Sequence, residues 1–107
     1  MGRAEAYVED YLVKRANELD FYCCKFTSPA TNGVPDRILI GYGRTFFVET
    51  KAPGGKPRPL QRAVHKQMRA HGGEVYVAST REQVDDILLS IIDQNRSSDT
   101  TKGTSDA

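Results

Sequence analysis

The sequence offers little from which to build disulfides, a membrane span or a large core. It has 2 cysteines, Cys23 and Cys24, adjacent in the chain. Neighbouring cysteines rarely bond each other, and in a strand they point to opposite faces. Reduced thiols are therefore expected, at least one of them buried. A zinc site joining them to His65 and His71 would match no familiar ligand spacing. No apolar run reaches the roughly 18 residues of a membrane span. The N-terminus lacks the charged-then-apolar pattern of a signal peptide, so a cytoplasmic protein is expected. There is no internal repeat, no linker and no base-reading motif such as a helix-turn-helix. With 107 residues, 38% of them hydrophobic, the chain suits one domain with a modest core, a size at which self-association is a common remedy.

Charge of one sign is also missing overall: the formal net charge is +1. Its distribution says more. From Thr50 to Gly73 there is no acidic residue, while Lys51, Lys56, Arg58, Arg62, Lys66 and Arg69 all fall there. Such a block suits contact with backbone phosphates, and equally a solvated helix face.

The apolar pattern divides the chain into short elements. Residues 4–19 read as an amphipathic helix with Ala4, Val8, Leu12 and Leu19 on one side and Tyr11 flanking them. Residues 21–26, 36–42, 45–51 and 74–78 read as strands. The second and third lie close enough to form a hairpin around Gly41–Gly43. Proline and glycine exclude regular structure from 52–59. A helix over 60–71 would pack through Leu60, Val64 and Met68 and stop at Gly72-Gly73. Residues 80–94 form a last helix, with Thr80 as N-cap and Gln83 completing a capping box. The polar stretch 95–107 reads as a disordered tail behind a domain spanning 1–94. The order α-β-β-β-α-β-α implies an α/β domain, a small mixed sheet flanked by helices.

Two features of this frame are chemically odd. In the otherwise buried strand Thr45–Lys51, Glu49 and Lys51 project from the same face as Phe47. Charges on the inner side of a sheet need strong compensation, unless the face or the strand end is exposed. Asp36 follows Gly33-Val34-Pro35 where a loop enters the second strand. A turn aspartate is common, but the hairpin brings this one near Glu49 and Lys51. Two carboxylates and an ammonium at one sheet end suit phosphodiester hydrolysis. Asp36 and Glu49 would offer oxygens to Mg2+ or Mn2+, and the Thr50 carbonyl a third. Lys51 would position water or stabilise the charged transition state.

Pro35-Asp36 followed by Glu49-Thr50-Lys51 resembles the PD-(D/E)XK signature of restriction-endonuclease-like nucleases. The wider string Gly33–Arg37, Phe47–Lys56 and Pro59-Leu60-Gln61 resembles the virus-type replication-repair nuclease (VRR-NUC) domain, over about Glu5 to Ser79. Stand-alone copies of that domain are typical of bacteriophages, which would place this protein in the host cytoplasm. The resemblance implies a restriction-endonuclease-like fold and divalent-metal-dependent nuclease activity. It also implies a glutamine from the helix after the Glu-X-Lys strand, here Gln61, and an acid from the first helix. Glu5 is preferred for that acid, as catalytic and metal-binding residue, with Glu9 as second choice.

The basic residues Lys56, Arg58, Arg62, Lys66 and Arg69 then gain a role as a nucleic-acid-binding surface. His65 reads as a surface histidine of the same helix. The expected activity is endonucleolytic cleavage of DNA, with four-way junctions and other branched forms as plausible substrates and a homodimer as the assembly. Flap, nick or RNA cleavage, a catalytically silent nucleic-acid-binding module and a structural subunit remain the other readings.

Overall fold

A computed structural model describes residues 2–102, with side chains described through residue 97. The chain runs α1 (Arg3–Glu18), β1 (Tyr22–Lys25), β2 (Arg37–Gly41), β3 (Arg44–Thr50), α2 (Pro59–Ala70), β4 (Val75–Ala78) and α3 (Arg81–Lys102). This is the expected order. The strands form one 4-stranded sheet in the order β1-β2-β3-β4. The first two pairings are antiparallel and β3 pairs β4 in parallel, because α2 carries the chain back across the sheet between them. The expected hairpin is present. Tyr42 and Gly43 both have positive φ, 56° and 77°, the geometry of a two-residue turn whose twist matches the flanking strands.

The sheet's two faces differ. Leu39, Phe46, Val48 and Ala78 point to one face and meet Val8, Leu12 and Ala16 of α1 and Val84, Leu88 and Ile91 of α3. All are fully buried, and Phe46 meets the Phe21 and Tyr76 rings edge-on, both centroids at 5.7 Å. On this side α1 and α3 are also tied at their outer edge, where Asp85 accepts hydrogen bonds from Tyr11 and Arg15. The opposite face carries Phe47, Glu49 and Lys51, with α2 beside β4. Its β1–β2 half stays open, leaving Tyr22 66% and Ile40 44% exposed.

Several local expectations change. In α1 the buried side is Val8, Glu9, Leu12 and Ala16, while Ala4 is exposed. Both cysteines are free and half-buried, neither fully enclosed. Gln83 N–H donates to the Thr80 hydroxyl at 3.1 Å as expected, but the Gln83 amide oxygen accepts from Ser79 instead of the Thr80 N–H. The last helix passes Gln94 and runs to Lys102, so the first part of the expected tail is helical. No helix breaker occurs there before Gly103, and propagating an existing helix through polar residues costs little. Residues 103–107 of that tail lie outside the described residues.

The largest correction concerns α2. Leu60, expected in its core stripe, is 54% exposed, Val64 and Met68 are half-buried, and the buried residues are Gln61 and His65. The helix is rotated so that polar side chains face the sheet. The apolar pair Leu60 and Val64 lies instead against the loop at Gly33. A Cβ at that glycine, whose φ is 89°, would meet the Leu60 carbonyl and the Val64 side chain at 3.1 Å.

Candidate active site

The β2–β3 register pairs Arg37 with Val48, so Asp36, one residue earlier, comes level with Glu49. Asp36 Oδ2 accepts hydrogen bonds from the Thr50 backbone N–H at 2.8 Å and the Thr50 hydroxyl at 2.9 Å. Backbone N–H and C=O of one strand residue point to the same side. Since Lys51 N–H bonds Ala78 across to β4, the Thr50 carbonyl points the other way, with its own N–H, toward Asp36. The structure thus brings Asp36 and the Thr50 carbonyl to one end of the sheet beside Glu49.

Glu49 is 1% exposed. Its Oε2 accepts from Gln61 Nε2 at 2.9 Å and lies 3.3 Å from Lys51 Nζ. Lys51 is itself buried. Gln61 is held at both ends, since its Oε1 accepts from Arg58 N–H at 2.8 Å. That bond caps the first turn of α2, which Pro59 opens. It also fixes the amide so that its N–H groups face the carboxylate. One residue therefore starts the helix and orients the acid.

The electrostatics are those of an under-compensated anion. Burial, then the neighbouring Asp36 charge, push the Glu49 carboxyl up from its ordinary value to about 7, against the pull of Lys51. Glu49 Oε1 has no hydrogen-bond partner. His65 is 1% exposed, and its Nε2 lies 3.9 Å from that oxygen, also without a partner. Burial, then Arg69, lower the His65 pKa, which keeps the imidazole neutral near pH 7. The expected surface histidine is therefore a floor residue of the site. The signal that could have found it is its spacing: His65 follows Gln61 by one helical turn and shares its face.

The first-helix acids separate. Glu9 is 4% exposed and accepts from Arg37 Nε at 2.8 Å and Lys25 Nζ at 3.2 Å. It neutralises Arg37 where α1 meets the sheet. Among the described residues Glu5 has no such ion pair; it is half-buried and lies near enough to contribute to the raised Glu49 pKa.

Among the basic residues, Lys56, Arg58, Arg62, Lys66 and Arg69 are all exposed. Two are also tethered. Arg62 donates to the Pro57 carbonyl at 2.7 Å, and Arg69 donates twice to the Val75 carbonyl, at 3.2 and 2.6 Å.

Among the described residues, no three His, Cys, Asp or Glu side chains converge closely enough to hold a metal ion by themselves. The donor set still suits magnesium or manganese, which take one or two carboxylates and keep several waters. The buried Glu49 Oε1 has no hydrogen-bond partner, and Asp36 and the Thr50 carbonyl lie at the same end of the sheet.

No family model matches the chain. It is 38% identical over 79 residues, covering 73% of this chain and 85% of the relative, to "Putative nuclease p44" of Acyrthosiphon pisum secondary endosymbiont phage 1. Its fold is similar to a solved structure described as a VRR_NUC domain. The TM-score is 0.74 and the identity 29%, over 81% of this chain and 96% of that one. The element order α-β-β-β-α-β-α and the mixed four-stranded sheet match that fold, and the chain belongs to the VRR-NUC family.

Proposed function

We propose that the protein is a divalent-metal-dependent endonuclease that hydrolyses DNA phosphodiester bonds, selects branched DNA such as four-way junctions, and works as a homodimer. The observation that carries the chemistry is the buried Glu49 carboxylate with an unpaired oxygen, level with Asp36 and beside Lys51. Binding alone has no use for such a group, which costs stability unless a cation joins it.

Asp36, Glu49 and the Thr50 carbonyl would hold Mg2+ or Mn2+, with Glu5 at the rim. A cation there supplies polarisation of the phosphoryl oxygen and a lowered pKa for the attacking water. Lys51 Nζ places a positive charge where negative charge grows on the phosphorus oxygens, and it can orient the water. Gln61 holds Glu49 in one orientation through Oε2, and Oε1 is left without a protein donor. Thr50 does the same for Asp36 through two hydrogen bonds. Lys56, Arg58, Arg62 and Lys66 lie on or just before the helix that carries Gln61, so phosphates bound there would pass the carboxylates.

One such centre cuts one strand. Symmetric cleavage of a four-way junction takes two centres related by a two-fold axis, which a homodimer provides. The open half of the sheet, with Tyr22 and Ile40 exposed, supports self-association, since aromatic residues are favoured at interfaces.

The test is a cleavage panel of single-stranded, duplex, flap and four-way DNA and RNA with magnesium, manganese or chelator, run beside light-scattering mass. Expected are a dimer mass, metal-dependent cleavage strongest on the junction, and loss of cleavage in folded Asp36→Ala, Glu49→Ala and Lys51→Ala. Full activity of Asp36→Ala would remove the site assignment. A monomer that nicks duplex and junction alike would remove the junction reading.

A further inference from the structure

α2 presents two polar side chains to the same carboxylate, one turn apart. Gln61 meets Glu49 Oε2 at 2.9 Å, and His65 Nε2 faces Glu49 Oε1 at 3.9 Å. Both atoms of the second pair are buried and unpaired. Buried polar atoms are almost always satisfied in native proteins, so two orphans facing each other mark an interaction that the loaded site completes. The gap exceeds a hydrogen bond by about 1 Å, a distance side-chain torsion can close. A purely space-filling position would hold an aliphatic residue and bury no imidazole nitrogen without a partner. The rotation of α2 supports the same conclusion: it turns Leu60 out to 54% exposure while enclosing Gln61 and His65.

We propose that His65 is a positioning residue for Glu49, its Nε2–H donating to Oε1 so that α2 grips the carboxylate by both oxygens and leaves a lone pair of Oε1 to the cation. This rests on the metal-dependent reading of the site. Carboxylates that bind metals are themselves hydrogen-bonded by an outer layer of residues, and that layer sets affinity. Here the outer layer comes from one helix face, so metal binding and the docking of α2 are coupled.

The test measures Mn2+ affinity of the full chain by electron paramagnetic resonance for wild type, His65→Leu and His65→Gln. Folding of each is checked by circular dichroism. His65→Leu fills the space without a donor and is expected to weaken Mn2+ binding roughly ten- to a hundredfold, while His65→Gln, which keeps an N–H donor, stays within about threefold. A space-filling role gives the reverse order, with Leu neutral and Gln the damaging change. Wild-type affinity in His65→Leu overturns the proposal and leaves the metal-dependent reading standing. A wild-type chain that binds no Mn2+ removes both. Should His65→Leu fail to fold, 15N NMR of the wild-type imidazole with Mg2+ decides. A protonated Nε2 whose shift moves on Mg2+ addition supports the role, and an unprotonated Nε2 overturns it.

Discussion

The two faces of one sheet are built on opposite terms. Under α1 and α3, Leu39, Phe46 and Val48 are enclosed by apolar side chains, and each buried group stabilises the fold by roughly 1.5–3 kcal/mol. Against α2, the same strand encloses Glu49 and Lys51 with Gln61 and His65. There the carboxylate is held partly protonated near neutral pH, at about 7, and two polar atoms lack partners. Strand β3 and the residue that follows it therefore supply both fully buried apolar side chains and a buried carboxylate oxygen without a partner. The apolar face keeps β3 rigid, so that the polar face can hold charges that would otherwise rearrange or hydrate.

Substituting across the strand breaks this comparison most sharply. Phe46→Ala removes the ring that meets Phe21 and Tyr76 and is expected to cost about 3–5 kcal/mol, which consumes much of a small domain's stability. Glu49→Gln should do the opposite in metal-free protein. Raising its pKa from 4.5 to about 7 means the folded state binds more protons than the unfolded one between those values. Stability therefore falls as pH rises through that window, and the full penalty applies above it. Glu49→Gln is expected to gain on the order of 1–3 kcal/mol at pH 8 and nothing near pH 4, while abolishing cleavage. Denaturant melts at both pH values, with chelator, measure this. A loss of stability at pH 8 would show Glu49 to be a structural ion-pair member.

A smaller effect is expected on the outside of α2. Arg62→Ala with Lys66→Ala leaves both faces of the sheet untouched. It should weaken DNA binding by about 1–2 kcal/mol across all sequences and lower the salt-dependence slope by up to about 2. Fluorescence anisotropy over a salt series reads it. An unchanged slope would make these residues a solvated face. Arg69 is a poorer probe, because its bonds to the Val75 carbonyl mix binding with strand anchoring.

The apolar face was legible in the sequence because periodicity reports burial in hydrocarbon. Val8, Leu12, Leu39 and Phe46 follow it, as does the hairpin signalled by Tyr42-Gly43. So did the Pro35-Asp36 and Glu49-Thr50-Lys51 pairing, since strand alternation and a short turn suffice to bring Asp36 level with Glu49. The polar face was misread for the same reason. Periodicity assigned α2 to Leu60, Val64 and Met68 and left His65 at the surface. In the fold the helix turns its polar side inward, because Gln61 and His65 have a buried carboxylate to meet. Glu9 was likewise unreadable as a buried ion-pair member, since its partners Arg37 and Lys25 come from strands distant in sequence. The run of α3 to Lys102 shows that polarity alone does not end a helix when no breaker intervenes.

Calorimetric titration of Mn2+ into the metal-free protein, in buffers of different ionisation enthalpy, decides whether a cation held on Glu49 completes the polar face. With Glu49 titrating at about 7, binding at pH 6 should displace close to one proton per ion, the release should fade above pH 8, and Glu49→Gln should bind weakly with no release. Mn2+ binding of unchanged strength in Glu49→Gln, or no proton release at pH 6, would contradict it.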